Sequence, residues 1–322
     1  MRKLKGDQIN YFWVSEVTDK YLFAGGNSPR IDKWNYLTGE LKLTFEIPDA
    51  KSTFQGAYCE EKEILAIASS LSNSLLIDIS TNEIIDKGLT HSRGTFKNQF
   101  IKKDLLATGD TKSVIKFYDI EEQKRKRNQI KITSHLSKIF GNRKLWGTVT
   151  GNDLQLYDEA DNLIVNINHA PQFSIRDSCI NEKGTKLWFI YCGKLIELKL
   201  GTISSSNPFH FDLWKNRREG NKKSFKDLEL IGKIVEDELI FHYVNYDNKS
   251  DTLYIGGRNK IFIYDAETLD KLKILEIPKH LEDNGGLRMS ALNIEIGNEK
   301  VFILDSYSFR KSEILVYDKI EK

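Results

Sequence analysis

One short pattern recurs seven times in this chain, and it limits the fold more than any other feature. An alternating apolar stretch, ending in Asp or Asn in six of its seven copies, appears as Ile31-Asp-Lys-Trp-Asn35, Leu75-Leu-Ile-Asp78, Ile115-Lys-Phe-Tyr-Asp119, Leu154-Gln-Leu-Tyr-Asp158, Leu195-Ile-Glu-Leu-Lys199, Ile261-Phe-Ile-Tyr-Asp265 and Ile314-Leu-Val-Tyr-Asp318. The ends of successive copies are 43, 41, 39, 41, 66 and 53 residues apart. A period near 40 is the length of one four-stranded propeller blade, so the last two intervals carry insertions.

The neighbours of each copy repeat as well. Before it runs a continuous apolar segment, such as Ile64-Leu-Ala-Ile-Ala, Leu105-Leu-Ala-Thr-Gly or Leu253-Tyr-Ile-Gly-Gly, suited to a strand covered on both faces. After it come a polar turn and a more charged strand, as in residues 41–47 and 271–277. The outermost strand of a blade meets water, so a gradient from apolar to charged is expected. The fold class predicted is all-β: one seven-bladed β-propeller domain over residues 1–322.

The last copy is followed directly by Lys319-Ile-Glu-Lys322, which leaves the seventh blade without an outer strand. Residues 2–5 precede the first blade's inner strand at 11–17 and are predicted to supply that strand, closing the ring and removing a bare sheet edge. All five prolines (Pro29, Pro48, Pro171, Pro208 and Pro278) are expected in loops, because proline cannot donate to a ladder. The period breaks over about 202–236. There, residues 209–214 are assigned as the fifth blade's outer strand, with 225–235 as the alternative strand or a short helix, and the basic tract 215–223 as a protruding loop. Residues 279–289, which contain Gly285 and Gly286, read as a second loop.

With 48 Lys and Arg against 46 Asp and Glu, the net charge of +2 sets up no global field for nucleic acid or membrane. The runs Lys124-Arg-Lys-Arg127 and 215–223 read as solubilising loops. No apolar run approaches a membrane span, and a cytoplasmic location is expected. Cys59, Cys179 and Cys192 are odd in number and lack metal-site spacing. A turn at 181–185 places Cys179 opposite Leu187 and away from Cys192, so free thiols in a reducing compartment are predicted.

The third blade carries a family resemblance. Leu105-Leu-Ala-Thr-Gly-Asp-Thr-Lys-Ser-Val-Ile-Lys-Phe-Tyr-Asp119 resembles the second and third strands of a WD40 repeat, with Tyr118-Asp119 at the Trp-Asp position. His91, His135 and His169 are similar in placement to the histidine of that family's Gly-His pair. No blade has Trp-Asp or Gly-His themselves, and Lys112 stands where the tight-turn Asp would be, which implies an incomplete hydrogen-bond tetrad. The resemblance implies a propeller acting as an interaction platform. Lactonase-like and quinoprotein-like propellers share similar Tyr-Asp-x-x-Thr-Gly patterns.

No paired-histidine, Cys-x-x-Cys, phosphate-loop or Gly-x-Ser-x-Gly motif occurs. His210 and Asp212 share one side of a possible strand, yet read better as the polar face of an outer strand. Inner strands offer Glu16, Asn98, Arg176, Asp177 and Glu295, too scattered for a hard cation, so neither metal nor cofactor is expected. The exposed candidates are basic. Loops between second and third strands carry Arg30, Lys112, Arg258 and Arg310, while those between blades carry His91, Arg93, His135, His169, His280 and Arg288. Together with Arg176 they predict a rim for a protein or peptide partner, of acidic character if guanidinium forks recognise it. The expected function is a non-catalytic scaffold in a complex; the alternative is a propeller enzyme or small-molecule binder using the central channel.

Overall fold

The computed structural model describes residues 2–4, 11–26, 28–70, 74–86, 91, 94–102, 104–110, 114–122, 124–125, 129–132, 134–142, 144–169, 175–213, 232–235, 241–257, 260–277, 291–308 and 311–320. Seven sheets, each ordered from inner strand to outer strand, form a seven-bladed propeller. The inner strands are Tyr11–Val17, Thr53–Cys59, Thr95–Lys102, Leu136–Gly141, Ile175–Ile180, Phe241–Asp247 and Ala291–Ile296. Each touches the next and the seventh touches the first, so they form a closed ring around an axial channel.

The apolar second strands do what their composition demands. Leu105–Asp110, Trp146–Thr150, Lys186–Tyr191 and Thr252–Gly257 are buried along their whole length. Their side chains feed seven hydrophobic clusters, one at each joint between adjacent blades, and these clusters are the core. At the joint of blades 3 and 4, for example, the Trp146 ring stacks on Tyr157 at 4.4 Å and receives Phe117 edge-on at 5.4 Å. Joints of this kind transmit contact around the ring because each blade buries one face on either neighbour.

The recurring Asp or Asn at the end of the third strand has a local physical cause. Its carboxylate or amide oxygen accepts the backbone N–H groups two and three residues on, folding the turn into the outer strand. Asn35 accepts from Leu37 and Thr38, Asp78 from Ser80 and Thr81, Asp119 from Glu121 and Glu122, and Asp265 from Glu267 and Thr268. Asp158 makes the variant pair with Ala160 and Asn162.

Residues Arg2–Leu4 pair antiparallel with the seventh blade's third strand, Arg2 opposite Val316 and Leu4 opposite Ile314. Leu4 is buried among Leu22, Trp34, Phe302 and Ile314, so one side chain from the chain's start seals blade 7 on blade 1. The predicted closure is therefore present.

Four local expectations need correction. The fifth blade's outer strand is Gly232–Val235, within the alternative segment, while Phe209–Asp212 runs parallel to Leu163–Asn168 as a fifth strand on blade 4. Phe209 and Phe211 there pack on the cluster between blades 4 and 5, which is a stronger draw than completing blade 5. Cys179 stands opposite Trp188, with Leu187 opposite Ile180, because the tight turn at Gly184 moves the pairing by one residue. Pro29 lies inside the strand Ser28–Asn35, at an irregularity where Gly25 and Gly26 shift register and no ladder donor is required of it. Lastly, Asp110 completes the blade 3 polar contact that Lys112 was expected to leave short: His91 Nδ1 is 3.2 Å from Asp110 Oδ2 and Nε2 is 2.6 Å from Thr108 Oγ1. Cys59, Cys179 and Cys192 are in no disulfide, and the first two are buried. The tracts 215–223 and 279–289 and Pro171 and Pro278 lie outside the described residues. Among those residues no helix is long and apolar enough to cross a membrane.

Candidate functional site

Every inner strand enters at the mouth ringed by the connections between blades and leaves at the mouth ringed by hairpins to the second strand. Glu16 opposite Phe23 and Glu295 opposite Phe302 therefore sit toward the hairpin mouth, whereas Lys97 opposite Gly109, Lys138 opposite Val149 and Asp177 opposite Ile190 sit toward the other.

The hairpin mouth opens into a funnel of about 910 Å³ built from blades 1, 2, 6 and 7. Its lining carboxylates are Asp19, Glu60, Glu61, Glu63 and Asp247, the last paired with Lys319 at 2.5 Å, and its ammonium groups are those of Lys20, Lys33 and Lys249. Some of those ammonium groups are already engaged: Lys33 donates to the carbonyl of Ile79 and to Asn82, and Lys249 donates to Asn298. The Tyr58 phenol registers the resulting field, since burial and then Glu63, Glu60 and Asp19 push its pKa up to about 12. Tyr36 is raised to about 12 by burial, Asp19 and Glu299. A second depression of about 660 Å³, lined by Asn142, Lys144, Glu182 and Tyr246, shares Glu60 and Asn248 with the funnel and extends it across blades 4 and 5. Glu60–Lys62 forms a single exposed 3₁₀ turn between them.

Inside the channel, inner strands of blades 2 through 7 enclose a cavity of about 260 Å³. Lys138 Nζ lies 2.5 Å from Asp177 Oδ1 and also donates to the carbonyl of Ser178 at 2.8 Å. Burial opposes the Lys138 charge, but Asp177 outweighs it and the pKa is raised. Asp177 accepts further from the backbone N–H groups of Ser178 and Val244, stitching blade 5 to blade 6. Lys97 is lowered to about 8 by burial and then by the charge of Lys138. His242 is lowered by burial and then by Arg176. At the opposite end Glu16 is raised to about 8 by burial and then by Glu295. One end of the channel thus carries Lys97, Arg176 and the Lys138–Asp177 pair, and the other the carboxyl groups of Glu16 and Glu295.

The residues picked out on the sequence fare unevenly. Arg30 is at the start of its strand with its guanidinium 2.8 Å from Glu46, so its charge is already answered. His91 and His169 are buried, and their rings hold local structure. His135 is exposed at the entry to blade 4, and Arg176 is exposed over the channel cavity. Lys112, Arg93, Arg258, Arg310, His280 and Arg288 lie outside the described residues. Of the inner-strand candidates, the cavity brings Arg176, Asp177 and Glu295 together, while Asn98 is buried against Ser74. His210 and Asp212 are on the flank of blade 4, away from the channel. The funnel itself was missed, although Glu60-Glu-Lys-Glu63 in a hairpin position was a readable signal, as were lysines at inner-strand positions 97 and 138. Among the described residues no group of three His, Cys, Asp or Glu side chains gathers as a metal site would require.

No protein-family model matches the chain and no curated protein matches its sequence, so what is shown is the fold, a seven-bladed β-propeller.

Proposed function

We propose that this propeller is a non-catalytic interaction scaffold of WD40-like type, and that it takes a basic segment of a protein partner into the funnel at its hairpin mouth. The observation that carries this reading is the acid-rich lining of a broad funnel, with Asp19, Glu60 and Glu63 close enough to raise the tyrosine at its wall. A concavity shaped by loops of four blades offers an extended chain many separate contacts, and its charge selects lysine and arginine. The buried contact of His91 with Thr108 and Asp110 supports the WD40 comparison, since that family rigidifies its blades with such a polar group. Three cysteines held outside disulfides support a cytoplasmic setting.

Amine cross-linking of the full chain in its native cell, followed by mass spectrometry, tests the proposal. Cross-links from Lys20, Lys62, Lys144 and Lys249 to lysine- and arginine-rich segments of one partner are expected, with loss of that partner on Glu60→Lys with Glu63→Lys. Both side chains sit in a surface loop, so the double variant should melt within a degree or two of the parent protein. Retention of the partner by that variant, or cross-links spread evenly over the outer strands, would overturn the reading.

A further inference from the structure

We infer that the central channel is a binding site for a small oxyanion, a phosphate or carboxylate, held between Lys97 and Arg176 at the end opposite the acidic funnel. This goes beyond the docking role and rests on separate residues. Lys97 lines a cavity that blades 2 through 7 enclose, and among the described residues no carboxylate lies within ion-pair distance of its ammonium. Asp177, the nearest acid able to answer it, is already committed: one oxygen takes Lys138 and the Ser178 N–H, the other takes the Val244 N–H.

Arg176 likewise has no ion-pair partner among the described residues, and it lines the same cavity. Three neutral donors complete the lining. Gln55, Ser137 and Tyr243 line the cavity, and among the described residues their side-chain polar groups make no hydrogen bond within the protein.

Even a half-buried ammonium without a counter-charge carries a desolvation cost, and folded chains ordinarily pair such a group or let it lose its proton. Here the pressure is visible, because burial and then Lys138 lower the Lys97 pKa to about 8 while Asp177 only partly restores it. An oxyanion between Lys97 and Arg176 would receive charge-assisted hydrogen bonds from both and weaker ones from the neutral donors. Glu295, at the far end of the cavity and beside Glu16, repels such a ligand and confines it to the Arg176 end. The volume of about 260 Å³ falls below that of drug-sized pockets and restricts the ligand to a few heavy atoms beyond the anionic head.

Isothermal titration calorimetry of the full chain with inorganic phosphate and, separately, with succinate at pH 7 and constant chloride tests this. One-to-one binding by at least one of the two is expected, and the tighter of them identifies a phosphoryl or a carboxylate source. Lys97→Met and Arg176→Gln should each weaken that binding tenfold or more, as loss of a charge-assisted bond implies. Lys97→Met removes an unanswered half-buried charge, so without oxyanion it should melt no lower than the parent chain; Arg176→Gln, at an exposed site, keeps the test available in any case. At pH 8 binding should take up protons, detectable as buffer-dependent heats, in the parent chain and not in Lys97→Met. Absence of binding by both anions at millimolar concentration, or unchanged affinity in both variants, would overturn the site. Partner capture at the funnel does not depend on either result.

Discussion

Replacing Glu16 with Gln isolates one side chain's share of the pH dependence of stability. Glu16 titrates near 8 in the folded ring against 4.5 for an unburied glutamate, raised first by burial and then by Glu295. A group whose pKa is higher in the folded state contributes stability that is complete below about 4.5 and disappears as pH climbs toward 8. The full shift corresponds to about 5 kcal/mol at about 1.4 kcal/mol per pH unit, and the partial exposure of the side chain to channel water reduces that to about 2–3 kcal/mol. Glutamine retains the oxygen that accepts the Val17 N–H at 3.1 Å, so it imitates the protonated acid. Urea unfolding at half-unit steps from pH 5 to 8 should show the parent protein losing stability relative to Glu16→Gln. The two should agree near pH 5, and the variant should be ahead by about 2–3 kcal/mol at pH 8. Parallel curves across that range would refute the claim that the acidic end of the channel holds a protonated carboxyl.

Two further outcomes bear on the ring itself. Leu4→Ala empties a buried position in the joint of blades 7 and 1 and should cost about 2–4 kcal/mol by chemical denaturation, with amide exchange faster at Ile314 and Val316 than in other blades. His91→Ala leaves Asp110 and Thr108 without their ring partner and should cost about 2–4 kcal/mol at pH 7. Burial, then Lys116, lowers the pKa of His91, so its contribution is complete above about 6.5 and declines as pH falls through the folded value; the gap between parent and variant should narrow on acidification.

The architecture was legible because each blade repeats the same physics. A strand covered on both faces must be apolar throughout, and a turn capped by Asp or Asn leaves that residue at a fixed place, so Leu75 to Asp78 and Ile261 to Asp265 announce the same strand and corner. Closure by residues 2–5 followed from counting strands, and the pairing spans Arg2–Leu4. Phe209–Asp212 was misplaced because nothing local tells a strand which edge it will join; its partner, Leu163–Asn168, is some 40 residues back and the pairing is parallel, so only the shared cluster of Phe209 and Phe211 with blade 4 decides it. The channel and funnel side chains were not gathered into a site from the sequence for a related reason. Arginines in connections draw attention one at a time, whereas Lys97, Lys138, Arg176 and Glu295 acquire meaning only when the ring brings distant strands to one axis. His91 looked like a surface histidine because Asp110, which fixes it, is 19 residues away.

The parallel strand on blade 4 has a mechanical consequence. After blade 5's third strand the backbone steps back to the flank of blade 4 at Phe209–Asp212 and then returns to finish blade 5 at Gly232–Val235, adding two crossings of that seam to the one that first led from blade 4 to blade 5. Six seams of the circle can part by sliding two sheets away from each other, but this one cannot separate until Phe209–Asp212 is peeled off its neighbour. Pulled by its ends, or threaded into an unfolding machine from either terminus, the molecule should surrender its other blades singly and these two together.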